Sequence, residues 1–242
     1  MEISLIIPAY NEEAVIGRCV GAAIKNSNGR FKEIIVVDNA STDRTAEIAR
    51  SYPGVIVVRE DRKGTGNARQ TGFEHCHGEI VAYLDADSII PEDWVDKIEY
   101  HFSRDPKIVF LSGAYRYHRD EVKRYPAWLL DAIWWFSLFA YWTTGYVGNT
   151  GNCAIRASAL REVGGFDRSI LFYGDDTDIS RRLHKIGKTI WSLDFYNYSS
   201  PRRFEEQGIF NTYFFYLLNY WWPVLFHRPY TPGHHDLKRP NS

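Results

Sequence analysis

The chain lacks the features that identify several protein classes. It has only three cysteines in 242 residues, Cys19, Cys76 and Cys153, and a formal net charge of −1. Because the cysteines are scattered, odd in number and without a C-x-x-C pair, they argue against a disulfide framework or a zinc site and favour a reducing compartment. The balanced charge provides no general attraction to nucleic acid. We therefore expect a cytoplasmic protein that binds no nucleic acid and recognises phosphate only locally.

The sequence pattern predicts neither a signal peptide nor a membrane-spanning segment. The opening "MEISLIIPAYNEE" has an acidic second residue and an apolar run too short for a signal peptide. Aromatic residues concentrate in residues 127–142 and in Ile209–Phe226. The first segment contains Asp131, and the second contains Asn211 and is interrupted by Pro223. We interpret both as core or interfacial segments rather than membrane spans.

Short apolar runs alternate with stretches of helical spacing in the first half of the chain. The runs typical of strands are "ISLII", "EIIVV", "VIVV" and "EIVAYL", with "IVFLSG" and "KTIWSL" following later. This alternation predicts βαβ units, and hence an α/β fold with a mostly parallel sheet flanked by helices. A chain of this length suits one sizeable core, and an aromatic helix is expected to begin at Ile209.

Polar and charged residues follow each of the first four predicted strands. The four segments are "PAYNEE", "DNASTD", "REDRKG" and "DADS". In open parallel sheets, ligands bind beyond the carboxyl ends of the strands. We therefore expect these four segments to meet in one cleft.

Two carboxylates, Asp85 and Asp87, lie one residue apart after the buried-strand pattern "EIVAYL". Adjacent anions repel each other and are costly to desolvate, so a bound cation is the leading explanation for the pair. Hard oxygen ligands suit Mg²⁺ or Mn²⁺, with phosphate oxygens completing the coordination shell.

Six segments together resemble a known family. They are "LIIPAYNEE", "IIVVDNASTDRT", "GNARQTG", "YLDADS", "GGFD" and "GDDTDISRRL", and they span roughly residues 3–192. Their order and spacing are similar to those of the family-two glycosyltransferases with a GT-A fold. The resemblance implies a single GT-A-type domain over residues 1–228, with a nucleotide-binding half (1–112), an acceptor half (113–228) and a mixed, mostly parallel sheet. Residues 229–242 are expected to form a flexible tail.

The activity that the resemblance implies is metal-dependent, inverting transfer of a sugar. The donor is a nucleoside-diphosphate sugar, and the acceptor is a hydroxyl on a sugar or a lipid-linked molecule in the synthesis of a cell-surface glycan or glycolipid. The metal is Mg²⁺ or Mn²⁺, with Asp87 as direct ligand and Asp85 beside the ribose. The residues predicted to bind donor and metal are Pro8, Ala9, Tyr10, Glu12, Asp38, Lys63, Arg69, Asp85, Ala86, Asp87, Arg202 and Arg203.

The resemblance also implies roles for single residues whose positions match those of the family. Asp38 is expected at the nucleotide base, where a carboxylate can accept a hydrogen bond from a ring N–H of uracil or guanine. Asp176 corresponds to the general base, and Asp175 occupies the position of the usual Glu. The stretch "YNYSSPRRF" has no histidine where some members have another metal ligand, so the remaining metal ligands are open.

Each assignment has a structural alternative. Asp38 could form an Asx turn within "DNAS", and the carboxylates of "DADS" could cap a strand end. Arg69 could lie on a solvated helix face, and Asp176 could be an ordinary acid favoured at a helix N-terminus. Arg202 and Arg203 could be surface charges.

Two other functions also remain open. The pair in "YLDADS" is similar to the nucleophile motif of haloacid-dehalogenase-type phosphatases, in which Asp85 would attack phosphorus. That reading leaves "PAYNEE" and "VVDNASTD" without a role. The other alternative is a non-catalytic module that binds nucleotide sugars or glycans.

The aromatic segments suggest a peripheral contact with the inner face of a membrane. On helical spacing one stripe contains Phe210, Tyr213, Phe214, Leu217, Leu218, Trp221 and Trp222. The opposite face contains Asn211, Thr212, Tyr216, Asn219 and Tyr220. Rings with polar tips suit a membrane interface, although a helix packed on the sheet with its tyrosines toward solvent would show the same pattern. The segment "AIWWFSLFAYW" is apolar all round, which predicts deep burial or lipid contact.

Overall fold

The fold is described from a computed structural model. It describes residues 1–117, 121–122, 124–170 and 174–226. The predicted flexible tail, residues 229–242, lies outside the described residues, as does Arg228 at the end of the predicted domain.

Strands and helices alternate along most of the described chain. In chain order the elements are β1 (Ile3–Ala9), α1 (Ile16–Ser27), β2 (Phe31–Asp38), α2 (Thr45–Arg50), β3 (Val55–Arg59), α3 (Thr65–Glu74), β4 (Ile80–Leu84), α4 (Trp94–Arg104), β5 (Ile108–Tyr117), α5 (Ala127–Thr144), β6 (Asn152–Arg156), α6 (Ala157–Glu162), α7 (Asp175–His184), β7 (Lys188–Ser199), α8 (Arg202–Gln207) and α9 (Ile209–Phe226).

One seven-stranded sheet forms the centre of the described molecule, with strand order β3-β2-β1-β4-β6-β5-β7. All neighbouring strands are parallel except β6, which is antiparallel to both β4 and β5. The predicted α/β fold with a mixed, mostly parallel sheet is therefore confirmed. Strand β6 and helix α4 were not among the predicted elements. The β6 sequence "NCAIR" is too short to show a clear period.

Side chains of the central strands point alternately to two apolar layers. In β1, Leu5 packs with Ile3 and Ile7 against α1 and α4, whereas Ile6 faces α3, α6 and α7. The strands are buried on both faces, which explains their near-continuous apolar sequences. Because helices pack on both faces of the sheet, they hold the strands in place. The polar residues that follow the strands are positioned as a result.

Helices α5 and α9 contact each other, and α5 also packs on β5 and β7. The Tyr213 hydroxyl donates to the carbonyl oxygens of Leu129 and Leu130, and the Tyr220 hydroxyl shares a hydrogen bond of 2.8 Å with Thr144. Because both ends of α9 contact the corresponding ends of α5, the two helices run in the same direction.

The polar face of α9 points into the protein. Thr212 and Asn219 are buried, whereas Phe210 is 86% exposed and Phe214 is also exposed. The predicted alternative with the tyrosines toward solvent is therefore wrong, because Tyr216 and Tyr220 are half-buried. The Tyr216 hydroxyl accepts from Arg203, and the Tyr220 hydroxyl binds Thr144 and the carbonyl of Tyr146.

Helix α5 has two distinct faces. Leu130 and Ala140 are buried, but exposed aromatic rings recur at helical spacing on the other face. They are Trp128, Trp135, Phe139 and Trp142. Deep burial, one of the two predicted alternatives, is therefore wrong for these side chains, and lipid contact stays a prediction. Within the described ranges, none of the helices combines the length and hydropathy that a membrane crossing requires.

Candidate active site

One cavity of about 360 Å³ gathers most of the predicted site residues. It lies at the carboxyl ends of β1 and β4 and also contacts α5, α7 and α9. The predicted residues in its lining are Pro8, Ala9, Tyr10, Glu12, Arg69, Asp85, Ala86, Asp87, Asp176, Arg202 and Arg203. Asp38 and Lys63 are outside the lining, although Asn39 and Gly64, the residues that follow them, belong to it.

Asp85 follows the last residue of β4 and is held by two side chains. The Tyr115 hydroxyl donates to Oδ2 at 2.8 Å, and Arg69 Nη2 lies 3.4 Å from Oδ1. The main-chain N–H of Asp85 donates to the carbonyl of Gly151 at 3.2 Å. A Cβ at position 151 would collide with both the Asp85 carboxylate and the Tyr115 hydroxyl, so the close approach of this loop requires glycine.

Asp87 belongs to a second charged group with Glu12 and Arg202. Arg202 binds both oxygens of Glu12, at 3.1 and 3.3 Å, and its Nη2 lies 3.6 Å from Asp87 Oδ2. Burial raises the pKa of Asp87 to about 7, with further increases from the charges of Asp85 and Glu12 and an opposing effect from Arg202. The charged form of Asp87 is therefore costly in this position unless a further cation is bound beside it.

This set of oxygens fits a divalent cation that keeps several ligands from water or phosphate. Among the described residues, no three His, Cys, Asp or Glu side chains are arranged to enclose a metal by themselves. The two neighbouring carboxylates, Asp85 and Asp87, suit the sparse protein ligation that is usual for Mg²⁺.

The neighbouring acids at the start of α7 have different environments. Asp175 is buried and forms an ion pair with Arg69, and Thr65 Oγ1 donates to it at 3.2 Å. Burial raises the pKa of Asp175, and the contact with Arg69 opposes that rise. Asp176 is half-buried in the cavity wall, where its Oδ1 accepts the main-chain N–H of Thr150 at 3.0 Å and the Thr150 hydroxyl. Asp175 is thus committed to an ion pair, and Asp176 lines the cavity.

Arg69 is not on a solvated face. Its side chain is 6% exposed, and it joins Asp175 on α7 to Asp85 after β4. The predicted alternative of a solvated Arg69 is therefore wrong. Since one guanidinium contacts both carboxylates, it links the start of α7 to the end of β4.

Asp38, at the end of β2, has partners for both of its oxygens. Oδ1 accepts the N–H of Ser41 at 3.1 Å, which is the Asx-turn contact anticipated within "DNAS", and Arg59 Nη1 donates to Oδ2 at 2.6 Å. Lys63 Nζ lies 2.6 Å from the Tyr10 hydroxyl. The assignment of Asp38 to the nucleotide base and of Lys63 to phosphate stays a prediction.

The third acid of the same helix, Asp178, has a structural contact. It pairs with Arg181 and Arg182, and Arg182 also donates to the carbonyl oxygens of Val163 and Gly165. This contact anchors the "GGFD" turn to α7. Asp178 is not in the cavity lining.

Three residues that hold or shape the cavity lining were not found from the sequence. Tyr115 holds Asp85, Thr150 holds Asp176, and Gly151 allows the loop to approach both Asp85 and Tyr115. Each partner lies 26 or more residues away along the chain. The glycines of "GNTGN" mark a turn, but nothing in a single sequence indicates which carboxylates that turn meets.

Comparisons with known proteins place the chain in a family. The profile described as "Glycosyl transferase family 2" matches residues 4–164. An undecaprenyl-phosphate 4-deoxy-4-formamido-L-arabinose transferase from Shewanella sediminis is 31% identical over 169 residues, covering 64% of this chain and 47% of that protein. The chain therefore spans about half the length of this curated relative.

Two solved structures with the GT-A fold share the architecture. The mannosyltransferase PcManGT from Pyrobaculum calidifontis, in complex with GDP-Man and Mn²⁺, has a TM-score of 0.65 at 22% identity and covers 82% of this chain and 56% of its own. Glucosyl-3-phosphoglycerate synthase from Mycobacterium tuberculosis, in complex with Mn²⁺, UDP and phosphoglyceric acid, has a TM-score of 0.62 at 21% identity and covers 90% and 78%. These likenesses confirm the GT-A fold. With a family profile that matches about two thirds of its length, the chain belongs to glycosyl transferase family 2.

Proposed function

We propose that the chain is a metal-dependent, inverting glycosyltransferase that moves a sugar from a nucleoside-diphosphate sugar to an acceptor hydroxyl. The observation that carries this proposal is the single cavity in which Asp85, Asp87 and Asp176 meet. Family membership supports glycosyl transfer, and the relatives crystallised with GDP-Man or UDP support a nucleotide-sugar donor.

Asp87 and Asp85 would hold Mg²⁺ or Mn²⁺ beside the donor diphosphate. The bound cation would supply neutralisation of the charge that develops on the departing diphosphate. Arg202 and Arg203 line the same part of the cavity, and we assign them to the diphosphate. Two structural neighbours contain Mn²⁺, which is consistent with this assignment.

Asp176 would act as the general base. Thr150 orients its carboxylate, which accepts the proton of the acceptor hydroxyl as that oxygen bonds to the anomeric carbon. The bond between the anomeric carbon and the diphosphate oxygen breaks, and its electron pair leaves with the diphosphate. Since Asp175 is committed to Arg69, we assign no carboxylate nucleophile, and a single displacement inverts the anomeric centre.

The acceptor is proposed to be a glycan or lipid-linked molecule that is reached through a peripheral membrane contact at the inner, cytoplasmic face. The exposed rings of α5 and α9 support this contact, because tryptophan side chains are favoured at membrane interfaces. The transferase from Shewanella sediminis has a lipid phosphate in its name. Co-sedimentation with anionic vesicles at low salt tests the contact, and complete recovery in the supernatant would contradict it.

A thermal-shift screen of UDP-, GDP- and dTDP-sugars, with and without Mn²⁺, tests the donor assignment. A ligand that binds only the folded state raises the melting temperature by mass action. We expect one nucleotide class to do so in Mn²⁺ and much less in EDTA. Slow, Mn²⁺-dependent hydrolysis of that sugar would exclude a non-catalytic module. Release of phosphate from a phosphomonoester, without any nucleotide sugar, would favour the phosphatase alternative instead.

A further inference from the structure

Tyr115 reaches the cavity from β5, a strand that lies two places away from β4 in the sheet. Its hydroxyl donates to Asp85 Oδ2 at 2.8 Å, whereas Arg69 Nη2 lies 3.4 Å from Oδ1. The carboxylate is thus restrained at both oxygens. Because the contact from Tyr115 is the shorter of the two, we take it as the main restraint on the Asp85 side chain.

An irregularity in the sheet determines where the Tyr115 side chain points. In the pairing of β5 with β7, Gly113 lies opposite Ser192. Tyr115 lies opposite Asn197, so one residue of β5 is opposed by four residues of β7 between these two pairs. Irregular pairing of this kind bends a strand locally and re-aims its side chains. A Cβ at position 113 would collide with the carbonyl of Phe195, so the close approach of the two strands requires glycine there.

Two buried asparagines hold the irregular region in place. Asn149 Nδ2 donates to the carbonyl of Gly113 at 2.8 Å. Asn152 Nδ2 donates to the carbonyls of Ala114 and Phe195, each at 3.0 Å. These amides bind the backbone of both strands next to the irregularity. Since buried polar contacts of this kind make a structure rigid, they keep the direction of the following side chain fixed.

The residue opposite Tyr115 supports the same acid through its main chain. Asn197 Nδ2 donates to the carbonyl of Gly151 at 3.1 Å, and that oxygen also accepts the main-chain N–H of Asp85 at 3.2 Å. Tyr115 binds the side chain of Asp85, and Asn197 supports its main chain through Gly151. Two facing positions of β5 and β7 therefore hold one acid at the end of β4.

We propose that Tyr115 is a positioning residue for donor binding. By fixing the carboxylate of Asp85, it raises the affinity of the cavity for a nucleoside diphosphate that binds together with a divalent cation. A carboxylate that already has one orientation loses less conformational freedom when a ligand binds beside it. This inference rests on the proposed function, since Asp85 has a cation to hold only if the cavity binds one.

Calorimetric titration of UDP and of GDP into Tyr115→Phe, in Mn²⁺ and in EDTA, tests the proposal. The substitution keeps the ring and removes the hydroxyl. For the nucleotide that the wild type prefers, the affinity in Mn²⁺ should fall about tenfold, which is the size expected for one hydrogen bond to a charged group. The weaker affinity in EDTA should not change.

Tyr141→Phe is the matched control. The Tyr141 hydroxyl also donates one hydrogen bond, of 3.0 Å to the carbonyl of Thr189, but Tyr141 lies outside the cavity lining. This variant should therefore bind the nucleotide with wild-type affinity both in Mn²⁺ and in EDTA. A thermal melt of each variant establishes that it is folded.

A double-mutant cycle separates positioning from a direct contact with the donor. In protein that already carries Asp85→Asn, Tyr115→Phe should change the affinity in Mn²⁺ by less than about twofold, since it acts through the Asp85 carboxylate. Gly151→Ala disturbs the same contact from the other side, because its Cβ would meet the ends of both side chains. It should lower the affinity in Mn²⁺ as Tyr115→Phe does.

Three results would overturn the inference and leave the proposed function intact. Wild-type affinity of Tyr115→Phe in Mn²⁺ would show that Asp85 needs no restraint from the hydroxyl. An equal loss in Mn²⁺ and in EDTA would show a role that is independent of the cation. A full tenfold loss in the Asp85→Asn protein would show that Tyr115 acts without Asp85. Wild-type protein that binds neither nucleotide more tightly in Mn²⁺ would contradict the proposed function, and the inference with it.

Discussion

The charged part of the cavity, which we propose to bind the donor, and its aromatic part, which we propose to bind the acceptor, are built by different means; we call them the donor side and the acceptor side. On the donor side, charged groups at the ends of β1 and β4 and at the start of α7 bind one another directly, as Arg69 does with Asp175 and Arg202 with Glu12. On the acceptor side, rings of α5, β7 and α9 pack together and few charges are present. The donor side therefore depends on individual partners, whereas the acceptor side depends on a collective surface. Single substitutions should affect the two sides very differently.

The largest effect on activity is expected for the proposed general base, Asp176. Asp176→Asn should reduce transfer about 10²- to 10⁴-fold, because the amide cannot accept the acceptor proton. Binding of the nucleotide sugar, measured by calorimetry, should change little. Asp178→Asn is the matched control, since Asp178 lies on the same helical turn but outside the cavity lining, and it should retain transfer. Near wild-type turnover by Asp176→Asn would place the base elsewhere.

Removing the guanidinium of Arg69, which links α7 to the end of β4, should lower the free energy of unfolding. Arg69→Met leaves Asp175 buried without its cation, which should lower the free energy of unfolding in urea by about 3–5 kcal/mol. Adding Asp175→Leu should recover much of that loss, because the buried carboxylate at position 175 is removed as well. Arg18→Met, which breaks the exposed pair with Glu121, should cost about 0–1 kcal/mol. Equal losses for the two arginines would contradict the difference between the buried and the exposed pair.

The charge of Asp87 predicts a dependence on pH in metal-free protein. Its pKa rises from 3.8 to about 7 on folding, so between these values the folded state keeps a proton that the unfolded state has lost. Stability in EDTA should therefore fall as pH rises through this range. Asp87→Asn should be more stable than wild type at pH 8 by on the order of 1–4 kcal/mol, and about equal to it at pH 4. Parallel stability curves for the two proteins would argue against a raised pKa of Asp87 in the folded state.

The smallest effects on the free energy of unfolding are expected for aromatic side chains of α5 and α9. Tyr220→Phe removes the hydrogen bonds to Thr144 and Tyr146 and should lower the free energy of unfolding by about 1 kcal/mol. Trp142→Ser, on the outer face, should change it by less than about 0.5 kcal/mol. The same Trp142→Ser protein should nevertheless bind anionic vesicles more weakly. A large loss of stability in Trp142→Ser would show that its ring is covered in the folded protein.

The sequence predicts the donor side well for a physical reason. Parallel neighbours in the sheet bring the carboxyl ends of β1, β2 and β4 to one edge, and the register pairs Ala9 with Asp38. Residues that immediately follow a strand therefore end up close together whatever the rest of the chain does. That is why "PAYNEE" and "DADS" could be placed in one cleft from their positions alone, and why the predicted aromatic helix at Ile209 could be named but not oriented.

The partners of those residues could not be predicted because they arrive from distant elements. Tyr115 comes from β5 and Thr150 from the loop before β6, and β6 itself was not predicted. The direction in which α9 faces depends on acceptors that α5 offers to Tyr213 and Tyr220. A helical period shows that two faces exist, but the choice between them is made by contacts with another part of the chain.

The central claim is that Asp87 and Asp85 hold a divalent cation together with a nucleoside diphosphate. Calorimetric titration of UDP and of GDP into the protein, in Mn²⁺ and in EDTA, tests it most directly. We expect at least one nucleotide to bind more than about tenfold more tightly in Mn²⁺, and we expect Asp87→Asn to lose that difference while Asp178→Asn keeps it. Binding of equal strength in EDTA, or an unchanged Mn²⁺ dependence in Asp87→Asn, would contradict the account.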